Sequence, residues 1–154
     1  MSGFHLAQFN YARLAAPLDD PRSAGFRDNL ERINALADAQ PGFVWRMVGE
    51  ADTATDIRAF DDALVLVNAS TWESPEHLAA FVFRTEHREF VRRGAEWFEP
   101  RDEIYLVLWW IAAGHQPGMT ECLDRLTALR ERGPTPFAFD FKTRFPAPQP
   151  ETAQ

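Results

Sequence analysis

The order of four strand-like and two helix-like segments constrains the fold of this 154-residue chain most strongly. The strand-like segments alternate or are continuously apolar, and each helix-like segment opens with a capping residue followed by proline, at Asp20-Pro21 and Ser74-Pro75. The order is strand, helix, strand, strand, helix, strand. It most simply gives an antiparallel four-stranded sheet with both helices on one face, so we predict a ferredoxin-like α+β fold. The predicted strands are 4–12, 43–49, 64–73 and 104–113.

The remaining segments extend this pattern without adding a second domain. Residues 120–132 predict a last helix, and 137–145 could add an edge strand. We expect a break in the second main helix near 84–86, where its apolar stripe drifts. A single domain is therefore expected over 1–146, followed by a flexible proline-rich tail over 147–154.

Composition argues against several classes of protein. A net charge of −7 and a pI near 5.1 argue against a nucleic-acid partner. One cysteine rules out an internal disulfide, and four histidines without an i,i+4 pair make a poor metal site. No apolar run approaches the ~20 residues that would span a bilayer, and the first residues lack a secretory pattern. We expect a cytoplasmic protein with no membrane partner and no metal.

A sheet covered by helices on one side has a second side to cover. We expect Leu6, Leu66 and Trp72 on that uncovered side, together with large residues of the fourth strand. An exposed apolar patch of that size would be untenable for a soluble monomer. A second sheet should cover it, which predicts a homodimer.

The third predicted strand carries an unusual mixture of side chains. Its alternation places Leu64, Leu66, Asn68, Ser70 and Trp72 on one face, and small, mostly β-branched residues on the other. Apolar groups interleaved with hydrogen-bonding groups are typical of a wall that faces a ligand.

The run NASTWESPEHLAAFVFRTEHREF resembles antibiotic biosynthesis monooxygenase-like proteins. From HLAQFNYARL through WWIAAGHQP, over about 4–146, the chain more closely resembles an uncharacterised bacterial family of unknown function in the dimeric α/β-barrel superfamily. The resemblance implies a homodimer whose two sheets face each other as a barrel, with a pocket between sheet and helices in each half. It does not select a reaction, because members of the superfamily differ in activity.

Residue by residue, the resemblance implies two possible sites. Asn68 and Trp72 match the spacing of a pocket asparagine and tryptophan in polyketide anthrone oxygenases, with Arg92 as the possible counterpart of an arginine. In haem-degrading members an asparagine, a tryptophan and a histidine would correspond to Asn10, Trp72 and His87. His87 follows Trp72 by fifteen positions, further than that pattern suggests, so haem is the weaker alternative.

Each candidate also has a structural interpretation. Asn68 could be an amide bonded to a loop, and Trp72 could close a core edge. His87 lies on an apolar helix stripe with Phe83 and Phe90, where a packed core histidine competes with a general base. Arg92 could belong to a solvated face of alternating arginine and glutamate.

Our leading hypothesis is a cofactor-independent monooxygenase-like enzyme that acts on a small aromatic or polyketide-like molecule. Asn68 and Trp72 would donate to a developing oxygen anion, His87 would accept a proton, and Arg92 would favour the substrate anion. The alternatives are a non-catalytic metabolite-binding or stress-related module, or a non-oxidative isomerase, lyase or cyclase. The expected substrate-binding residues are Asn10, Leu66, Ser70 and Trp110, with Trp109 on the opposite face of the same strand.

Overall fold

The computed structural model describes residues 3–49, 55, 57, 60–100 and 102–148. Within them the chain forms four strands and five helices, with a short 3-10 turn at Pro21–Ser23 before the first helix. The tail predicted over 147–154 lies mostly outside the described residues. In chain order the elements are β1 (Phe4–Arg13), α1 (Ala24–Asp38), β2 (Phe43–Arg46), β3 (Val65–Trp72), α2 (Pro75–Arg84), α3 (His87–Arg92), α4 (Gly94–Trp97), β4 (Leu106–Ala112) and α5 (Met119–Arg132).

The four strands form one antiparallel sheet in the order β2-β3-β1-β4. This is the arrangement of a ferredoxin-like α+β fold, so the predicted fold class is confirmed. In the register of β1 and β3, Asn10 pairs with Asn68, and Gln8 pairs with Ser70. Residues paired in this way point to the same face of the sheet.

The helices begin and end at local signals in the sequence. Asp20 accepts a hydrogen bond from the backbone N–H of Arg22, and the chain then enters α1 through the 3-10 turn. Ser74 caps α2 by accepting from the His77 N–H, with Pro75 in the first turn. The predicted break near 84–86 is confirmed, because α2 ends at Thr85 in an extended conformation before α3 starts.

The helices α1 and α2 cover one face of the sheet. Leu6 and Trp72 are buried there against Ile33 of α1 and against Leu78 and Phe81 of α2. Leu66, on the same face, is buried in a neighbouring cluster with side chains that include Phe26 and Trp97. The expectation that Leu6, Leu66 and Trp72 form an uncovered face is therefore wrong.

The opposite face of the sheet is covered by α5. Its buried strand residues, which include Phe9, Val67 and Trp109, pack against Leu126 and Leu129 of the helix. Small and β-branched side chains of β3 on this face, such as Val67 and Ala69, pack in the same cluster as these large rings. Both sheet faces are thus buried within one chain. In the described residues, no uncovered apolar face is left that would require a second sheet.

The outer edge of β4 carries one further backbone contact. Leu108 and Phe139 exchange two backbone hydrogen bonds, each 2.8 Å long. The segment 137–145, where an edge strand was considered, thus pairs with β4 through this isolated bridge.

Candidate functional site

Asn68 is the exposed position in an otherwise buried strand. The other seven residues of β3 are buried, and alternation places Asn68 on the α1/α2 face, between Leu66 and Ser70. The side chains that cover this face therefore leave Asn68 open to solvent, and we call this gap the opening over Asn68.

Asn10 lies directly opposite Asn68 on β1 and is half-buried. Paired residues of an antiparallel sheet have Cβ atoms roughly 4.5–5.5 Å apart. In the described part of the chain, neither side-chain amide makes a hydrogen bond. Their four N–H hydrogens and two carbonyl oxygens are thus available to a small molecule, and we call Asn10 and Asn68 the amide pair.

A buried hydrogen-bonded group adjoins the amide pair. Gln8 Nε2 and Trp72 Nε1 both donate to Ser70 Oγ, at 2.9 Å each. All three side chains are at least nine-tenths buried. We call Gln8, Ser70 and Trp72 the donor trio. Since the indole N–H of Trp72 is already bonded to Ser70 and the residue is 1% exposed, Trp72 is a core residue that adjoins the site through Ser70.

Aromatic rings continue from Trp72 towards α3. Trp72 stacks on Phe81 with ring centroids 5.4 Å apart, and the centroids of the Phe81 and His87 rings are 4.7 Å apart. His87 Nδ1 lies 3.5 Å from the carbonyl oxygen of Val82. Burial lowers the pKa of His87, although the contact with Val82 opposes this, so the ring is neutral at pH 7. Phe81 thus contacts both Trp72 and His87.

Of the remaining predicted site residues, Leu66 adjoins Asn68 on the same face of β3, whereas Arg92 and Trp110 make their hydrogen bonds elsewhere. Arg92 is exposed on α3 and bonds to Glu89 at 2.9 Å, as expected for a solvated face. Leu66 is a core residue. Trp110 shares the face of Trp72, but its indole N–H donates to the carbonyl oxygen of Phe145 at 2.8 Å.

The two tandem tryptophans are separated by the sheet. Trp109 lies under α5 and donates its N–H to Glu121 Oε2 at 2.9 Å. Trp110 is therefore the member of the tandem pair that shares a face with the amide pair.

Sequence reasoning missed Arg46. It lies opposite Ser70 on β2, its side chain is 11% exposed, and it bonds to Asp38 at the end of α1 at 2.8 and 3.3 Å. The sequence does show an arginine within a largely apolar strand. It does not show which face of the sheet this arginine occupies, because an irregularity between Phe43 and Trp45 shifts the register by one residue.

A separate shallow groove of about 660 Å³ lies where β4 meets α5. Its lining includes His115, whose Nε2 is 2.6 Å from Glu121 Oε1. Burial raises the pKa of Glu121, but hydrogen bonds from His115 and Trp109 outweigh it and leave that pKa below its usual value. The groove adjoins Trp110–Ala112, whereas the amide pair lies level with Leu106 at the other end of β4.

The described residues contain no cluster of three or more histidine, cysteine or acidic side chains placed to hold a metal ion. None of the helices in that part of the chain has the length and hydropathy needed to cross a membrane.

Several solved structures are similar to the chain at low identity. PA3566 from Pseudomonas aeruginosa is 14% identical, with a TM-score of 0.48 over 75% of this chain and 98% of its own. A provisionally assigned antibiotic biosynthesis monooxygenase from Nitrosomonas europaea is 13% identical, with a TM-score of 0.49 over 77% and 97%. SnoaB, a cofactor-independent oxygenase from Streptomyces nogalater, is 15% identical, with a TM-score of 0.46 over 73% and 95%. Values this low assign no reaction to the present chain.

Sequence comparison places the chain in a family. No curated protein matches it. The family described as a domain of unknown function, DUF3291, matches residues 5–154, which agrees with the resemblance noted in the sequence. The chain therefore belongs to the DUF3291 family.

Proposed function

We propose that this protein binds a small aromatic or polyketide-like molecule over the amide pair and oxygenates it without a cofactor. The observation that carries the proposal is the exposure of Asn68 in a strand whose other residues are buried, opposite a second amide that makes no hydrogen bond within the described residues. A few convergent polar groups within an apolar lining are typical of small-molecule sites.

The amide pair suits a substrate that reacts as an anion. An electron-rich phenol or enol loses a proton, and the resulting anion transfers one electron to O₂. The substrate radical and the superoxide formed in this step then combine. For a ring methylene, CH₂ and O₂ give C=O and H₂O, so the substrate supplies all the electrons. N–H groups from Asn10 and Asn68 would stabilise the substrate oxygen that carries the negative charge.

The roles of the other predicted catalytic residues change in this proposal. Trp72 is assigned a supporting role, since it is buried and its N–H already bonds to Ser70. His87 and Arg92 are left outside the reaction, because the imidazole of His87 packs on Phe81 and Arg92 is paired with Glu89 at the surface. The substrate proton would then pass to solvent through the opening over Asn68.

A second candidate is binding without catalysis. His87 is the predicted base, but within the described residues its contacts are with Phe81, Val82 and Thr85. This use of His87 in packing favours a site without a catalytic base. A site with oxygen-anion donors and no adjacent base would also suit a protein that only sequesters a metabolite. Product analysis without oxygen would separate both candidates from an isomerase, lyase or cyclase.

We keep the homodimer as a prediction that rests on the family resemblance. Since α5 covers the sheet face opposite α1 and α2, such a dimer would use another surface than that face. Light scattering should give about twice the chain mass of 17.6 kDa, and a single-chain mass over a range of concentrations would contradict it.

Oxygen uptake tests the proposed reaction. Metal-free protein is mixed with an electron-rich anthrone or hydroquinone, and wild type is compared with Asn68→Ala and Asn10→Ala. We expect each substitution to lower turnover about 10²-fold or more, as for loss of an oxyanion donor, with little change in the free energy of unfolding. Gln116→Ala removes an exposed amide beyond β4 and is the matched control, with turnover unchanged.

The outcomes separate the two candidates. Uptake that survives both asparagine substitutions would reject the amide pair as the reaction site. Binding of the aromatic compound without uptake above background would favour the sequestering protein.

A further inference from the structure

We infer that Ser70 determines which ligands the site accepts, by donating a hydrogen bond to a second oxygen of the ligand. The inference rests on the proposed function, because it requires the ligand to lie over Asn68. It adds a specificity residue that the family resemblance does not supply.

The donor trio holds more hydrogens than it can use. Ser70 Oγ accepts from Gln8 Nε2 and from Trp72 Nε1, both at 2.9 Å. A hydroxyl oxygen has two acceptor positions and one donor hydrogen, so both acceptor positions are occupied. The Ser70 hydrogen must then point away from Gln8 and Trp72. Within the described residues it meets no acceptor.

Exchanging the amide oxygen and nitrogen of Gln8 leaves the same excess. In that orientation Ser70 donates to the Gln8 carbonyl oxygen, and both Gln8 N–H hydrogens are without an acceptor. Two hydrogens of the donor trio thus lack an acceptor in either case. In the orientation of the structure they are the Ser70 hydrogen and the second Gln8 Nε2 hydrogen, and it is this orientation that leaves Ser70 free to donate to a ligand. An unpaired buried donor costs about 1–3 kcal/mol, so an acceptor supplied by a ligand is favourable at this place.

The position of Ser70 fixes what it can contact. Ser70 and Asn68 are alternate residues of β3 on one face, roughly 6.6 Å apart along the strand. Because Ser70 is only 7% exposed, the inference places this contact at the inner end of the opening over Asn68. An oxygen bonded to Ser70 is therefore a different atom from the oxygen bonded to the amide pair. The site would prefer ring systems with oxygens at two positions over those with one.

Calorimetric titration of two matched probes under anaerobic conditions tests this preference. The probes are 1-naphthol and 1,3-dihydroxynaphthalene. We expect wild type to bind the dihydroxy compound about tenfold more tightly, near the upper range for a neutral hydrogen bond. Ser70→Ala should lose most of this preference and keep its affinity for 1-naphthol. Thr71→Val, which removes the next hydroxyl along β3 on the opposite face, should retain the preference.

The results distinguish failure of this inference from failure of the proposed function. If Ser70→Ala keeps the preference while Asn68→Ala weakens binding of both probes, the role of Ser70 is wrong and the proposed site survives. If neither probe binds, or Asn68→Ala binds both as wild type does, the proposed function fails and the inference fails with it.

A second variant covers the case in which Ser70→Ala does not fold. Gln8→Leu keeps the Ser70 hydroxyl and removes one of the two groups that fix it. The preference should then fall while affinity for 1-naphthol is unchanged. A preference equal to that of wild type would overturn the inference.

Discussion

The two faces of this sheet are built from the same strands but differ in the side chains that they present and in what those side chains do. Beneath α5, strand residues such as Phe9 and Trp109 are completely buried in an apolar layer. Beneath α1 and α2, two apolar clusters lie beside a polar stretch that contains the amide pair and the donor trio. One face therefore holds the fold together, and the other combines support with an opening. The comparison teaches that alternation along a single strand can assign stability and chemistry to different residues.

Shortening a side chain on the α5 face should have the largest effect on stability. Leu126 is 2% exposed, and Leu126→Ala should lower the free energy of unfolding by about 3 kcal/mol, because it removes buried surface and leaves a cavity. Val91 on α3 is 53% exposed, so Val91→Ala is the matched control and should change stability by less than about 0.5 kcal/mol. Urea unfolding measures both, and equal losses would break the comparison.

The strand alternation and the starts of α1 and α2 were predictable because they depend on neighbouring residues. The face covered by each helix was not, because it depends on packing between segments far apart in the chain. Asn68 was found as a polar residue in an apolar run, whereas the partnership of Gln8 with Ser70 depends on a register between residues 62 positions apart. The side of the sheet that Arg46 occupies required the irregularity in β2 to be known.

A hydroxyl on the α5 face should be unfavourable rather than useful. Thr71 Oγ1 is buried and has no hydrogen-bond partner in the part of the chain that the structure describes. Thr71→Val keeps the shape and removes the unpaired group, so thermal or urea unfolding should show a gain of about 1 kcal/mol. A loss of stability would mean that this hydroxyl has a partner, and the contrast with Ser70 would weaken.

The pH dependence contributed by His87 should be the smallest of these effects. Burial lowers its pKa, so between the lowered value and the ordinary value of about 6.5 the unfolded chain binds the proton and the folded chain does not. Stability from this group is therefore complete above about pH 6.5 and decreases as the pH falls below it. Urea unfolding at several pH values should show a shallower decrease for His87→Gln than for wild type. Identical slopes would contradict burial of a neutral ring.

The bridge between Leu108 and Phe139 has a consequence for how copies of this protein can meet. It occupies backbone groups on the outer edge of β4, while the other edge strand, β2, has four residues and an irregular register. In the part of the chain that the structure describes, neither edge therefore offers a long, regular row of free N–H and C=O groups for another strand to join. Edge-to-edge polymerisation is thus disfavoured at both ends of the sheet, and self-association of this protein would depend on side-chain recognition.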